Sequence, residues 1–192
     1  SFRHGHVMTM YKGDGDVGDP NNYRPICITS VVARVYERVH VDPLIKAMSA
    51  AYMPSPEQFG FTRKRSTHDA IFRFLSQLVE CVDRGELDDR SSAGVFVDIS
   101  KAYDKVWISG LLYKLQCMGI KGNLYYMIRA MIENRTIQVV GQGKMSDTFF
   151  LTAGVPQGSI LAPFLFLIYI HEIICTGKVP DVIMSLFADD IA

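Results

Sequence analysis

Asp98 ends the apolar run Val95-Phe96-Val97, and Asp189 with Asp190 ends Met184-Ser185-Leu186-Phe187. If the two runs are neighbouring strands, three carboxylates meet at one sheet edge. Bare carboxylates gathered there repel one another, so such a cluster is stable mainly when divalent cations neutralise it. Oxygen ligands suit Mg²⁺, which binds one or two carboxylates and takes its remaining ligands from water and phosphate oxygens. Two such ions about 3.5–4 Å apart serve phosphoryl transfer, acting on the attacking and the leaving oxygen. Strand-end aspartates also cap turns in solvent, so the acids alone do not fix a function.

Gly154-Val155-Pro156-Gln157-Gly158-Ser159 sets two glycines before an apolar helical run. Close backbone approach and exposed N–H groups there suit contact with a nucleotide or a template strand. Arg63-Lys64-Arg65 is the one dense basic cluster and lies just ahead of a capped helix, where phosphate oxygens would find guanidinium donors. His4 and His6 alternate without a nearby third ligand and read as exposed terminal residues. Met127, Met131 and the Tyr125/Tyr126 pair read as the core and surface of one helix. No Ser-His-Asp order, zinc spacing or dinucleotide-binding glycine run appears.

The elements that must position these residues follow from periodicity. A strand is predicted near Val7 to Tyr11, followed by loop to Pro25. A helix capped by Thr29 or Ser30 should carry Val31, Val32, Val35 and Val39 on one face, with a second short helix over Pro43 to Ser49. Ser66 and Asp69 have capping-box spacing, and Ala70, Ile71, Phe74, Leu75, Leu78, Val79 and Val82 recur at helical period up to Gly85. A charged loop from Gly85 to Ser92 leads to a buried strand over Ala93 to Ile99. Two helices capped by Ser109 and Asn123 end near Gly119 and Glu133. A hairpin joins Thr136–Val140 to Ser146–Leu151, a helix runs from Ser159 to about Ile174, and Val182–Phe187 is the last strand.

The 192 residues are 48% hydrophobic and 21% charged, enough apolar content for a real core and too much for disorder or low-complexity arrays. Lys plus Arg balance Asp plus Glu at net charge +0, so nucleic-acid binding would need a local patch. Cys27, Cys81, Cys117 and Cys175 are scattered among apolar neighbours, which favours reduced, buried thiols in an intracellular protein. The longest apolar run, Ile160 to Ile170, is far short of the roughly 20 residues that span a bilayer, so no membrane partner is expected.

Three segments in order, Phe96 to Trp107, Gly154 to Pro163 and Phe187-Ala188-Asp189-Asp190, resemble palm motifs A, B and C of reverse transcriptases. Upstream, Asp19-Pro20-Asn21-Asn22-Tyr23-Arg24-Pro25-Ile26 and Gln58-Phe59-Gly60-Phe61 with Ser66-Thr67 resemble the fingers motifs of non-LTR, LINE-type retrotransposon enzymes. The resemblance implies an α+β polymerase right-hand fold: an antiparallel palm sheet backed by helices over 93–192, preceded by a mostly helical fingers portion over 1–92. It implies an RNA-directed DNA polymerase that transfers deoxynucleotides to a primer 3′-hydroxyl with two Mg²⁺ ions, Mn²⁺ serving as a substitute. Its partners would be an RNA template, a DNA primer and deoxynucleoside triphosphates.

By the same resemblance Asp98, Asp189 and Asp190 are the catalytic acids and metal ligands, with Ile99 lending its backbone carbonyl to a metal. Tyr103 matches the aromatic gate that excludes a 2′-hydroxyl, and Gln157 with Gly158 would line the nucleotide pocket. Lys12, Arg24, Arg63 and Arg65 match basic fingers positions. The Arg that commonly follows the Gly-Phe step is replaced by Thr62, which leaves open whether Arg63 or Arg65 takes that duty. Pro156, Phe187 and Ala188 would touch template or primer, while Asp104, Val106 and Trp107 are assigned to packing and loop hydrogen bonds.

Three other readings compete: a viral RNA-dependent RNA polymerase, a group II intron-type reverse transcriptase, and a remnant that keeps the fold without activity. Tyr103, Gln157-Gly158 and Ala188 before the acid pair oppose the first, and the fingers sequence opposes the second. Intact acids at 98, 189 and 190 oppose the third. Neither a starting Met nor a signal peptide opens the chain, and it stops just after the acid pair. An excerpt lacking the thumb is therefore expected, weak or inactive by itself. A eukaryotic retrotransposon origin would place it in nucleus and cytoplasm; oligomeric state is left open.

Overall fold

The computed structural model describes residues 3–83, 94–141, 143–176 and 182–192, with the side chains of 81–83 and 175–176 excepted. The chain divides into two compact units, one formed by 1–51 and 103–169 and the other by 52–102 and 170–192. The expected fingers–palm boundary at 92/93 and the expected loop from Gly85 to Ser92 lie outside the described residues.

The first unit is built on a five-stranded sheet. Strands β1 (His4–Tyr11), β2 (Tyr23–Ile28) and β4 (Arg135–Gly141) run in the order β2-β1-β4, with β5 (Lys144–Met145) and β6 (Phe149–Leu151) both pairing β4. The β1–β2 pair is antiparallel and the β1–β4 pair parallel. The expected hairpin after Asn134 is therefore present, its return arm divided into β5 and β6. Strand β2 falls where loop was expected, because a Pro within the segment argues against a central strand. Pro25 is tolerated on this edge strand, where it faces Thr9. Cys27, at the same parity, donates its amide to Gln157 O at 2.8 Å rather than to β1. The nitrogen of Pro25 thus points away from β1 as well, and no ladder bond is lost.

One helix, α1 (Val31–Ala50), replaces the two expected; it runs through Pro43 and is capped by Ser30 Oγ, which accepts from Ala33 N at 3.2 Å. Its buried residues are Ala33, Glu37, Val41, Leu44 and Met48, while Val31, Val32, Val35 and Val39 are exposed. At about 100° per residue the two sets lie on opposite faces. The valine stripe expected on one face is therefore the outer face, because Leu44 and Met48 extend the opposite stripe, which is the buried one.

Helices α3 (Ile108–Cys117) and α4 (Gly122–Ile132) begin at Trp107 and Lys121 rather than at Ser109 and Asn123, and neither start has a side-chain cap bond. With the first part of α5 (Ala162–Thr176) they supply fully buried Leu111, Leu115, Ile128, Ile132, Leu165 and Phe166.

The second unit carries α2 (Thr67–Asp83) and a three-stranded antiparallel sheet in the order β3-β8-β7, formed by β3 (Val97–Asp98), β7 (Leu186–Phe187) and β8 (Asp190–Ile191). The predicted capping box is formed: Ser66 N and Oγ donate to Asp69 Oδ2 at 2.7 Å, and Asp69 N donates to Ser66 Oγ at 3.3 Å. The strand expected over Ala93 to Ile99 is reduced to two residues. Val95, Phe96 and Val97 are exposed instead of buried, since β3 has a neighbour on one side only among the described residues. The last strand likewise spans two residues rather than Val182–Phe187. No described helix is long and apolar enough to cross a membrane.

Candidate active site

In the second unit, β3 and β8 pair so that Asp98 stands directly opposite Asp190, with Val97 opposite Ile191. Residues so paired lie about 4.5–5.5 Å apart at Cα and project to the same face of the sheet. Phe187 pairs with Asp190 across β7 and β8, which leaves Ala188 and Asp189 as a two-residue hairpin tip. The three acids, distant in sequence, thus converge at one end of this small sheet.

Ala188 has φ 59, and Asp189 is not in that region. Positive φ at the first tip residue alone is the pattern of a type II′ hairpin, usually met by Gly. A left-handed alanine costs about 1–2 kcal/mol and persists where surroundings fix it. Here Gln58 does so: Oε1 accepts from Ala188 N at 2.9 Å and from Gly60 N at 2.8 Å, and Nε2 donates to Ala188 O at 3.5 Å. Gln58 is fully buried. Phe59 N donates to Leu186 O at 2.8 Å and Leu186 N to Glu57 O at 2.9 Å, so segment 57–60 braces the hairpin along its length. A Cβ at Gly60 would lie 2.4 Å from Ala188 N, so position 60 must stay bare for the tip to hold its place.

Asp189 is raised above the ordinary aspartate range, first by burial and then by the carboxylates of Asp190 and Asp98, against a backbone hydrogen bond that lowers it. Mutual repulsion of this kind suits the site to cations. Among the described residues no group of three or more His, Cys, Asp or Glu side chains forms a closed metal-ligating set. The donor chemistry fits Mg²⁺ all the same, because that ion needs only one or two carboxylates. Ile99, next to Asp98, is half-buried, and its carbonyl is a further oxygen donor.

Arg65 donates from Nη1 to Pro56 O and, at 3.0 Å, to Gln58 O, and its guanidinium lies 5.1 Å from the centre of the Phe59 ring. Arg65 therefore holds the brace segment, whereas Arg63 is exposed. Phe187 is half-buried on β7.

The first unit holds the other residues singled out from sequence. The Tyr103 ring stacks on Phe166, centres 4.8 Å apart and planes 18° from parallel. Its carbonyl accepts from Val155 N at 2.8 Å, which attaches the glycine-bounded loop to it. Gln157 Nε2 donates to Asp104 Oδ1 at 3.1 Å, a loop hydrogen bond of the kind assigned to Asp104. Pro156 is buried and Gly158 exposed. Lys12 Nζ donates to Asn21 O at 2.7 Å, and Arg24 is exposed on β2. Each unit thus assembles its own group, the acids with their brace in one and Tyr103 with the loop in the other.

Sequence reasoning missed Gln58 as the brace and gave no role to Glu37 or Arg135, which are buried and charged. Glu37 was detectable once α1 is read as one helix, since it falls on the stripe of Ala33, Val41, Leu44 and Met48. For Arg135, the first residue of a strand after Asn134, no sequence signal exists.

Residues 11–192 match the family described as "Reverse transcriptase (RNA-dependent DNA polymerase)". The chain is 27% identical over 197 residues to the RNA-directed DNA polymerase from mobile element jockey of Drosophila melanogaster, covering 100% of this chain and 21% of that protein. It is 31% identical over 170 residues to the Pol polyprotein from type-1 retrotransposable element R2 of Popillia japonica, covering 88% and 23%. The chain therefore spans about a fifth of the length of these curated relatives. A telomerase from Candida Tropicalis, solved in complex with the TWJ fragment of telomeric RNA, superposes with TM-score 0.64 at 13% identity over 99% of this chain and 35% of that one, which shows the shared fold. With the acids on one hairpin-centred sheet and the family match over nearly the whole chain, this protein belongs to the reverse transcriptase (RNA-dependent DNA polymerase) family, as carried by non-LTR retrotransposons.

Proposed function

We propose that this chain is the catalytic portion of an RNA-directed DNA polymerase that adds deoxynucleotides to a primer 3′-hydroxyl on an RNA template. The observation that carries the reading is the pairing of Asp98 with Asp190 beside Asp189 at the hairpin tip. Asp98, Asp189, Asp190 and the carbonyl of Ile99 would hold two Mg²⁺ ions, for which Mn²⁺ can substitute. When bound, the ions stabilise charge on the attacking and leaving oxygens of an in-line displacement.

The chain's own residues do the rest. Gln58 and Gly60 hold the hairpin tip, so that Asp189 is presented without reorganisation. Tyr103, backed by Phe166, offers a flat rigid surface that leaves no volume for a 2′-hydroxyl, which selects deoxynucleotides. Gln157, oriented by Asp104, and the exposed backbone at Gly158 contact the incoming nucleotide. Lys12, Arg24, Arg63 and the free donors of Arg65 neutralise triphosphate oxygens. Pro156, Phe187 and Ala188 contact template or primer. Such an enzyme would act inside the cell and, if carried by a eukaryotic retrotransposon, in nucleus and cytoplasm.

Primer extension on an RNA template by the full-length protein tests this. Asp189→Asn should lower incorporation by more than the roughly 10–100-fold that is lost when a residue hydrogen-bonded to a metal ligand is removed. In the isolated chain, Mg²⁺ at 100 times its dissociation constant should add about 2.7 kcal/mol of stability, and Asp189→Asn should lose that gain. Equal extension by native and Asp189→Asn protein, or none by either, defeats the enzymatic reading in favour of an inactive remnant.

A further inference from the structure

The loop Gly154–Gly158 borders a cavity on one side. Its residues Gly154, Pro156 and Gln157, together with Cys27 and Arg135, line a cavity of about 330 Å³. Besides its backbone bonds to Tyr103 and Val106, two buried charges from elements outside its own motif bond to its ends. On the entry side, Arg135, 6% exposed at the start of β4, donates from Nη2 to Gly154 O at 2.8 Å and to Ala153 O at 3.3 Å. On the exit side, Glu37, 3% exposed on α1, accepts from Ser159 Oγ at 2.7 Å and from Ile160 N at 2.6 Å.

Between these ends the loop is pressed against β2. Cys27 N donates to Gln157 O, and Gly158, at φ 105, brings its backbone so near that a Cβ would lie 2.8 Å from Cys27 O. Both charges suit their places. Carbonyls at the loop entry attract a guanidinium, and at the exit the Glu37 carboxylate takes the hydroxyl of Ser159 and the amide of Ile160, two residues ahead of α5. Burial of an ionised group is costly without partners, so each charge is retained for the bonds it makes. Burial lowers the affinity of Arg135 for its proton, and nearby Cys27 and Asp104 oppose that shift.

We infer that Arg135 and Glu37 are positioning residues that clamp the two ends of the loop and so fix Gln157 for the incoming deoxynucleotide. This inference rests on the polymerase reading above for its consequence, though not for its geometry. Arg135 acts through the backbone carbonyls at the loop entry, and Glu37 through the Ser159 hydroxyl and the Ile160 amide at its exit.

The test combines amide hydrogen exchange on the chain with single-nucleotide extension by the full-length protein, using Glu37→Gln, which keeps side-chain size, and Arg135→Lys, which keeps the charge but not the guanidinium fork. A charged hydrogen-bond partner is lost or misplaced in each, so exchange at Val155 and Ile160 should rise about 10-fold or more while β1 and β4 keep their protection. The KM for the incoming deoxynucleotide should rise about 10-fold with kcat changed less than about 3-fold, the signature of lost ground-state positioning. Three results overturn the clamp: unchanged loop exchange in both variants, exchange raised equally over β1 and β4, or a confined rise with KM unaltered. If the unsubstituted protein extends no primer, the polymerase reading fails, and the exchange comparison by itself decides whether the clamp exists.

Discussion

Among single residues, Gly60 has the sharpest requirement. A methyl group there meets the backbone of Ala188, which cannot swing aside as a side chain tip can. Gly60→Ala should cost about 1–3 kcal/mol, as overpacking does, and appear as a lower urea midpoint with an unchanged slope. Gly141→Ala, where a Cβ meets nothing within 4 Å, is the control and should fall within about 0.5 kcal/mol of native. The cysteines offer a second check. Cys27 is buried as expected and its thiol is raised by that burial above its ordinary range, whereas Cys117, expected to be buried, is exposed at the end of α3; mass-resolved alkylation of the folded chain should therefore modify Cys117 well before Cys27. At this scale the three acids and the glycine-bounded loop were legible in sequence, because their chemistry is written in adjacent residues. Glu37 and Arg135 were not, since what defines them is a partner more than a hundred positions away in one case and a pair of backbone carbonyls in the other.

Elements were legible where local chemistry decides them. The Ser66–Asp69 capping box lies within one turn, so spacing alone announces it. Hydrogen bonds from Ser66 hold Asp69 below the ordinary aspartate range. A depressed acid stabilises the fold above its unfolded value, and that contribution is lost as pH falls through the folded one. Loosening of the first turn of α2 is therefore expected on acidification below the ordinary aspartate range, read as faster amide exchange there, and Ser66→Ala, which removes the hydroxyl donor but keeps the backbone one, should weaken that pH dependence. Helix α1 was legible as a helix and illegible as a face, because both of its stripes are apolar and only tertiary partners choose between them. Val35→Glu should change stability by less than about 0.5 kcal/mol. Leu44→Ala, at a fully buried position of the opposite stripe, should cost about 2–5 kcal/mol in the same denaturation measurement.

For the whole molecule, family membership was readable because five motifs recur in order, whereas the partition into compact units was not. Each unit draws on two separated stretches of chain, and hydropathy along a sequence carries no record of which stretches return to one another. The same scale brings out the outer strand β2. Of its outward amides, that of Tyr23 is taken by Pro20 O, position 25 has none, and that of Cys27 is occupied by Gln157. An arriving strand from another polypeptide would find no donor along this border, so edge-to-edge polymerisation, the usual hazard of an open sheet, is blocked on that flank by the same bond that seats the loop.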